Sequence, residues 1–248
     1  MANTTTKGLG FKLIEDVQEE DYIVMAKLWQ DSFLTDAHTN LKVYQASQGP
    51  LDDSPIRAWA ASDNCHLLKA ISTSTNEIMG WVCWGHRGYT ARKPQPESTS
   101  EGVWTSGPAE KERTPIQNLT RLTGDHFKEF MTDIMPEGVK CWYICTLVVA
   151  PQYQGMGLGR RMIEWGTSRA EKDGVFAWVH SSNQGWQAYQ ACGFETVRML
   201  TLNLDEYAAG GALGKGPEPG GKWGDYTFRY MVYKPERAVA IKGKSLLD

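Results

Sequence analysis

The residues whose types and spacing best suit chemistry lie in one run, Val148-Val149-Ala150-Pro151-Gln152-Tyr153-Gln154-Gly155-Met156-Gly157-Leu158-Gly159-Arg160-Arg161. Glycines at alternate positions follow an apolar stretch and precede a helical one. Backbone without side chains lets a ligand approach closely, and the first N–H groups of a helix have no partners within it. That is the chemistry of a phosphate cradle. A tight strand-to-helix turn without a ligand would use the same residues. Each glycine, however, costs about 0.5 to 1 kcal/mol relative to alanine inside a helix, which argues that backbone approach matters here. Two nucleotide readings fail on the neighbours. A Walker loop needs Lys then Ser or Thr after its last glycine, where Arg160 and Arg161 stand. A dinucleotide fingerprint begun at Gly157 meets Met162 in place of its third glycine, and one begun at Gly155 meets Arg160.

Other reactive types are less organised. Cys65, Cys83, Cys141, Cys145 and Cys192 are odd in number and contain no CxxC, which fits reduced thiols better than a disulfide framework or zinc site. The five histidines complete no HExxH spacing, so no metal is expected. Ten tryptophans suit packing first and an aromatic-lined pocket second. Lys+Arg 26 against Asp+Glu 29 gives a net charge of -3, so no general basic field invites nucleic acid or an anionic membrane. The longest apolar runs fall far short of the roughly 20 residues that span a bilayer, and MANTTTKGLG lacks an apolar signal core. A cytoplasmic protein is expected, with one large domain or two small ones in its 248 residues.

The elements that must position the glycine run can be read from periodicity. A strand at Phe11 to Ile14 leads into a helix over Asp16 to Phe33, and residues 34–64 read as irregular. His66 to Ile71 and Ile78 to His86 form a hairpin. Residues 87–118, rich in Pro, Ser, Thr, Lys and Glu, read as an exposed insertion. A helix follows from Leu119 to Ile134, then a central strand from Val139 to Val149, a helix from Leu158 to Lys172 and a strand from Val175 to His180. A short helix over Gln184 to Ala191 stops at Gly193, and strands at Phe194 to Leu202 and Tyr226 to Tyr233 flank a glycine-rich loop at 208–224. This order predicts an α/β fold with a mixed, mostly antiparallel central sheet of about six to seven strands flanked by helices.

The spacing Gln154-Gly155-Met156-Gly157-Leu158-Gly159 resembles the Gln/Arg-x-x-Gly-x-Gly/Ala loop of the GCN5-related N-acetyltransferase (GNAT) superfamily. The later segment Ser182-Asn183-Gln184-Gly185-Trp186-Gln187-Ala188-Tyr189-Gln190-Ala191-Cys192-Gly193-Phe194 resembles a second family signature, with a Tyr shortly before Gly-Phe. The two motifs span residues 139–202. The resemblance implies a GNAT-like fold over one domain, residues 1–248, and an acetyl-CoA-dependent N-acetyltransferase. It also implies direct attack of an amine on the acetyl group. By position, acetyl-CoA would be held by the backbone of Leu147, Val148 and Val149, by Gln154, Gly155, Met156, Gly157, Leu158, Gly159 and Arg160, and by Ser182. Val149 N–H would polarise the thioester carbonyl. Tyr189 would protonate the departing thiolate. Tyr143 and Cys145 occupy places where family members carry a Glu or His base. Neither is a good base near neutral pH; His180, with an ordinary pKa of about 6.5, is the candidate substitute acting through water, with a structural histidine bonded to backbone as the alternative. The expected acceptor is a small amine-bearing molecule, uncharged or aromatic, met by the insertion, the Trp81/Trp84 hairpin and the glycine-rich loop. A protein or peptide acceptor and a non-catalytic acyl-CoA-binding module are the alternatives.

Overall fold

The computed structural model describes residues 10–46, 51–89 and 113–236. Among these, apolar runs form strands β1 (Phe11–Ile14), β2 (Cys65–Ser72), β3 (Ile78–Arg87), β4 (Cys141–Val149), β5 (Ala177–Ser181), β6 (Phe194–Asn203) and β7 (Asp225–Tyr233). Helices α1 (Glu19–Phe33), α2 (Ala37–Ala46), α3 (Ser54–Ala61), α4 (Pro115–Ile134), α5 (Leu158–Asp173) and α6 (Trp186–Gln190) cover them. The strands join in one 7-stranded sheet of order β1-β2-β3-β4-β5-β7-β6. Only β4 and β5 run parallel; every other pair is antiparallel. The mixed, mostly antiparallel α/β sheet expected from the sequence is what forms.

Alternation along the strands divides the core between two faces. Under α5, Leu158, Met162 and Ile163 pack on Trp84, Trp142, Ile144 and Val179. On the other face, Phe130 and Ile134 of α4 cover Trp178 and Tyr230, while Met25 of α1 and Ile56 of α3 cover Leu67, Trp81 and Val148. Among the described residues no helix is long and apolar enough to cross a membrane.

Three expectations change. Residues 34–64 are not irregular: they hold α2, begun by Asp36, whose carboxylate accepts from Thr39 N at 3.0 Å, and α3, which opens at Ser54 and Pro55. Most of the insertion expected at 87–118 lies outside the described residues, but its last part is helix. Thr114 caps α4 in a reciprocal capping box with Gln117, with Pro at the start of the helix. Trp81 and Trp84, expected near the acceptor, are both 0% exposed. Their indole N–H groups donate to Met25 O at 2.9 Å and Met162 O at 3.0 Å, pinning α1 and α5 to opposite faces of β3.

The Trp84 contact makes a testable demand on α5. A Cβ built on Gly166 would lie 2.1 Å from Trp84 Cε2. Gly166→Ala therefore sets a helix-propensity gain of about 1 kcal/mol against overpacking of about 1 to 3 kcal/mol or more. Because the indole is also held by its hydrogen bond, overpacking is expected to win. The urea midpoint of Gly166→Ala should fall, and a rise would show that Trp84 yields.

Candidate active site

β4 and β5 are paired only over Trp142↔Ala177, Tyr143↔Trp178 and Ile144↔Val179. Beyond Ile144 the two strands part, while β4 stays paired with β3 as far as Gly80↔Val149. The ladder to β3 skips Cys145, since Cys83 faces Thr146 and Trp84 faces Ile144. This bulge decides which backbone groups face the split. Ala150 N–H donates to Met79 O at 3.0 Å, and Val148 O lies where it would meet a Cβ on Gly80. By alternation Leu147 and Val149 turn their backbone groups to the open edge, and Val148 turns its own to β3. The expectation that all three line the split therefore fails for Val148, which contributes a buried side chain instead.

The glycine run links the end of β4 to α5. Gly155 and Gly157 have φ of 76° and 84°, the left-handed region that favours glycine. A Cβ at either would meet nothing within 4 Å. The open side of the loop is thus bare backbone beside a helix start. Gly157 caps α5 with no side chain, so the first-turn N–H groups receive no side-chain acceptor. These features fit a phosphate group. Leu158 is buried and offers only its backbone, whereas Met156 is exposed. Gly159 would touch Leu147 and Val149 side chains at 3.8 Å if it carried a Cβ. Gln154 Nε2 donates to Val149 O at 3.3 Å. Arg160 and Arg161 both bind Glu164, at 2.7 and 2.8 Å.

Tyr189 and His180 lie on opposite sides of β5. Ser181 Oγ, Ser182 Oγ and the Tyr189 ring surround Gly185 on the α5 side, each within 3.6 Å of a Cβ built there. Ser182 Oγ accepts from Gly185 N at 3.2 Å, fixing the turn into α6. The Tyr189 ring packs edge-on against Phe194, centroids 5.8 Å apart. Burial, with Cys192 nearby, raises its phenol above the ordinary range, so the hydroxyl keeps its proton at neutral pH.

His180, alternating with Val179 and Ser181, faces α4 and β7. Its ring stacks on Tyr230 at 4.6 Å and on Phe127 at 4.9 Å, and Phe228 closes a third side at 4.8 Å. Burial lowers its pKa to about 4, with His126 adding to the shift. A second histidine, absent from the sequence-based candidates, joins it. His38 touches the same Phe228 ring at 4.9 Å and Tyr226 at 5.4 Å. Burial, then Lys42 and His180, lower its pKa to about 3. Both Nε2 atoms are buried without a hydrogen-bond partner. Such atoms cost free energy unless something polar meets them, so both Nε2 atoms are groups that a polar partner would stabilise.

The turn between α1 and α2 spans this region. Ser32 Oγ donates to Val149 O at 3.2 Å, Thr35 O accepts from Gln184 Nε2 at 2.8 Å, and Asp36 Oδ1 accepts from Tyr226 OH at 2.7 Å. One short segment thereby ties the ends of β4, β5 and β7 together over the split.

The two low histidine pKa values set a sign for acid stability. Between about 6.5 and 4 the unfolded chain binds protons on His38 and His180 that the folded chain refuses. Their contribution is complete above about 6.5 and is lost as pH falls, by up to about 1.4 kcal/mol per pH unit for each histidine. The urea midpoint should drop steeply from pH 6.5 to 4.5, and His38→Phe should flatten that slope. An unaltered slope would mean that His38 is protonated in the fold.

The Acetyltransferase (GNAT) family model matches residues 25–194. No curated protein matches the chain by sequence. Among solved structures, arylalkylamine N-acetyltransferase 2 from Aedes aegypti is similar with a TM-score of 0.60 at 14% identity, covering 90% of this chain and 98% of its own. Mosquito arylalkylamine N-acetyltransferase like 5b gives 0.56 at 15% identity, over 90% and 99%. NAA60 of Arabidopsis thaliana, solved with a bisubstrate analogue, gives 0.50 at 13%, over 92% and 99%. At these identities the likeness is one of fold. With the family model extending from α1 to the start of β6, the chain belongs to the GNAT family and is a GNAT-type N-acetyltransferase.

Proposed function

We propose that this acetyltransferase modifies the amine of a small molecule, and that its 248 residues act as one domain built around the single sheet. The observation that carries the acceptor reading is the α1–α2 turn, tied to β4, to the turn after β5 and to β7. A bridged entrance suits a compact acceptor better than an extended peptide lying along a groove. The aromatic walls beyond it, Phe127, Phe228 and Tyr230, suit an acceptor with an apolar or aromatic body. Two of the fold neighbours named above are arylalkylamine acetyltransferases, in keeping with this class.

Family membership implies acetyl-CoA, which supplies an activated acetyl thioester. The backbone of Leu147 and the N–H of Val149, whose carbonyl already accepts from Ser32 Oγ and Gln154 Nε2, are suited to pair with its pantetheine arm, and the first turn of α5 with Gly155 and Gly157 to hold its pyrophosphate. Val149 N–H is the candidate donor to the thioester oxygen. Arg160 would have to exchange Glu164 for phosphate. Ser182 borders Tyr189 and shapes its turn. His180 accepts the proton released by the attacking amine at Nε2, and Tyr189 gives its proton to the leaving sulfur. Base and acid on opposite faces of β5 match an acceptor and a donor that meet across the split.

Thiol release from acetyl-CoA, measured with alkylamines, arylalkylamines, polyamines and peptides with free N-termini or lysines, tests the acceptor class. Turnover of one or more small amines at least about 10-fold above any peptide is expected; the reverse order would transfer the protein to the peptide-directed class.

A further inference from the structure

Three of the cysteines converge at a place the acetyl-transfer chemistry does not use. Cys65 opens β2, Cys83 lies within β3 and Cys145 is the bulged residue of β4. These strands are consecutive neighbours in the sheet, and the three side chains share the face beneath α1 and α3. Their sulfur atoms all lie within 4.8 Å of one another. All three are free thiols, Cys83 buried and the outer two half-buried. A cleft bordered by Glu15, Tyr22 and Ala60 reaches Cys65, giving the group a route to solvent.

A disulfide does not account for the arrangement. It would use two sulfurs and strand the third, and β2 and β4 stand about 9.5 Å apart with β3 between them, beyond the roughly 7 Å between Cα atoms that a bridge tolerates.

We propose that Cys65, Cys83 and Cys145 form a trithiolate site for a soft d10 cation, with monovalent copper as the best fit. With every S–S separation inside the observed limit, an ion can sit no more than about 2.8 Å from all three, against about 2.3 Å for a zinc–thiolate bond. Small side-chain rotations close that gap. Sulfur-only ligation excludes calcium and magnesium, which take oxygen. Zinc prefers four ligands, and among the described residues no fourth His, Cys, Asp or Glu joins the group. Cu(I) is satisfied by three sulfurs. It enters without change of oxidation state and displaces the thiol protons to solvent, so binding weakens as pH falls.

The reduced full-length protein, titrated anaerobically with Cu(I) against a chromophoric chelator, should bind one equivalent and show thiolate-to-copper charge-transfer absorption in the ultraviolet. Cys83→Ser should weaken binding by at least about 100-fold, and Cys192→Ser should leave it unchanged. If Cys83→Ser does not fold, Cys65→Ser at the mouth of the site gives the same reading. Zinc, titrated separately, should bind more weakly than Cu(I). Absence of stoichiometric Cu(I) binding, wild-type affinity in the folded Cys83 or Cys65 variant, or tighter binding of zinc would each overturn the assignment. None of these readouts depends on acetyl transfer.

Discussion

Tyr189→Phe is expected to lower kcat by about 100-fold, the lower end of what a positioned proton donor contributes, and to leave the KM for acetyl-CoA within about twofold. Tyr189 is 7% exposed and packs on Phe194, contacts that phenylalanine keeps, so the variant should fold with wild-type stability. Only the hydroxyl is lost. Burial raises the phenol's pKa, which weakens it as an acid. The thiolate formed beside it would be desolvated too, and its basicity would rise for the same reason. The proton transfer thus stays matched although both partners are shifted. A raised pKa also keeps the acid form present well above neutral pH, so wild-type kcat should show no basic limb from this group through pH 9. A loss in kcat without a change in donor KM is the pattern of an interaction made in the transition state. Unchanged kcat in Tyr189→Phe would remove the residue from the chemistry and leave it as packing.

The sequence made strong local signals visible and long-range pairings invisible. β4, α5 and the β6–β7 hairpin were legible because apolar runs and glycines mark them directly. α2 was not, since AHTNLKVYQA has little apolar periodicity. Its stability comes from the Asp36 cap and from Leu41, which is buried in a cluster with Trp223 of the glycine-rich loop. The start of α4 was written in Thr114-Pro115-Ile116-Gln117 and could have been read as a capping box. At the site, the glycine loop falls at the strand-to-helix turn that its spacing implied. The bulge at Cys145 carries no sequence mark, yet it reverses which backbone groups of β4 face the split. His38 shares the Phe228 ring with His180 only because α2 folds back onto β7. The three-cysteine group likewise arises from strand pairing, with spacings that match no short motif.

The larger test of the acceptor side is His180→Gln, expected to cut kcat/KM for the amine by about 100-fold at pH 7 while the acetyl-CoA KM holds. A base with a pKa lowered to about 4 is too weak to deprotonate a free ammonium. It does not need to. Once the neutral amine has attacked, the nitrogen carries positive charge and becomes a far stronger acid, and a neutral imidazole in a desolvated aromatic wall can take that proton. The same low pKa predicts that the activity profile has no acid limb near 6.5 from His180. Activity should instead rise with pH as the acceptor itself loses its proton, and amines of lower pKa should reach their plateau earlier. In this reading His38, whose unpartnered Nε2 is buried across Phe228 from His180, would serve the same proton as a second acceptor or through water. His38→Gln alone should therefore cost less, about 3- to 10-fold, and the double variant should lose less than the product of the single losses, as groups acting on one proton do. Activity of His180→Gln within twofold of wild type would move the base elsewhere. Losses that multiply independently would instead separate the two histidines into unrelated roles.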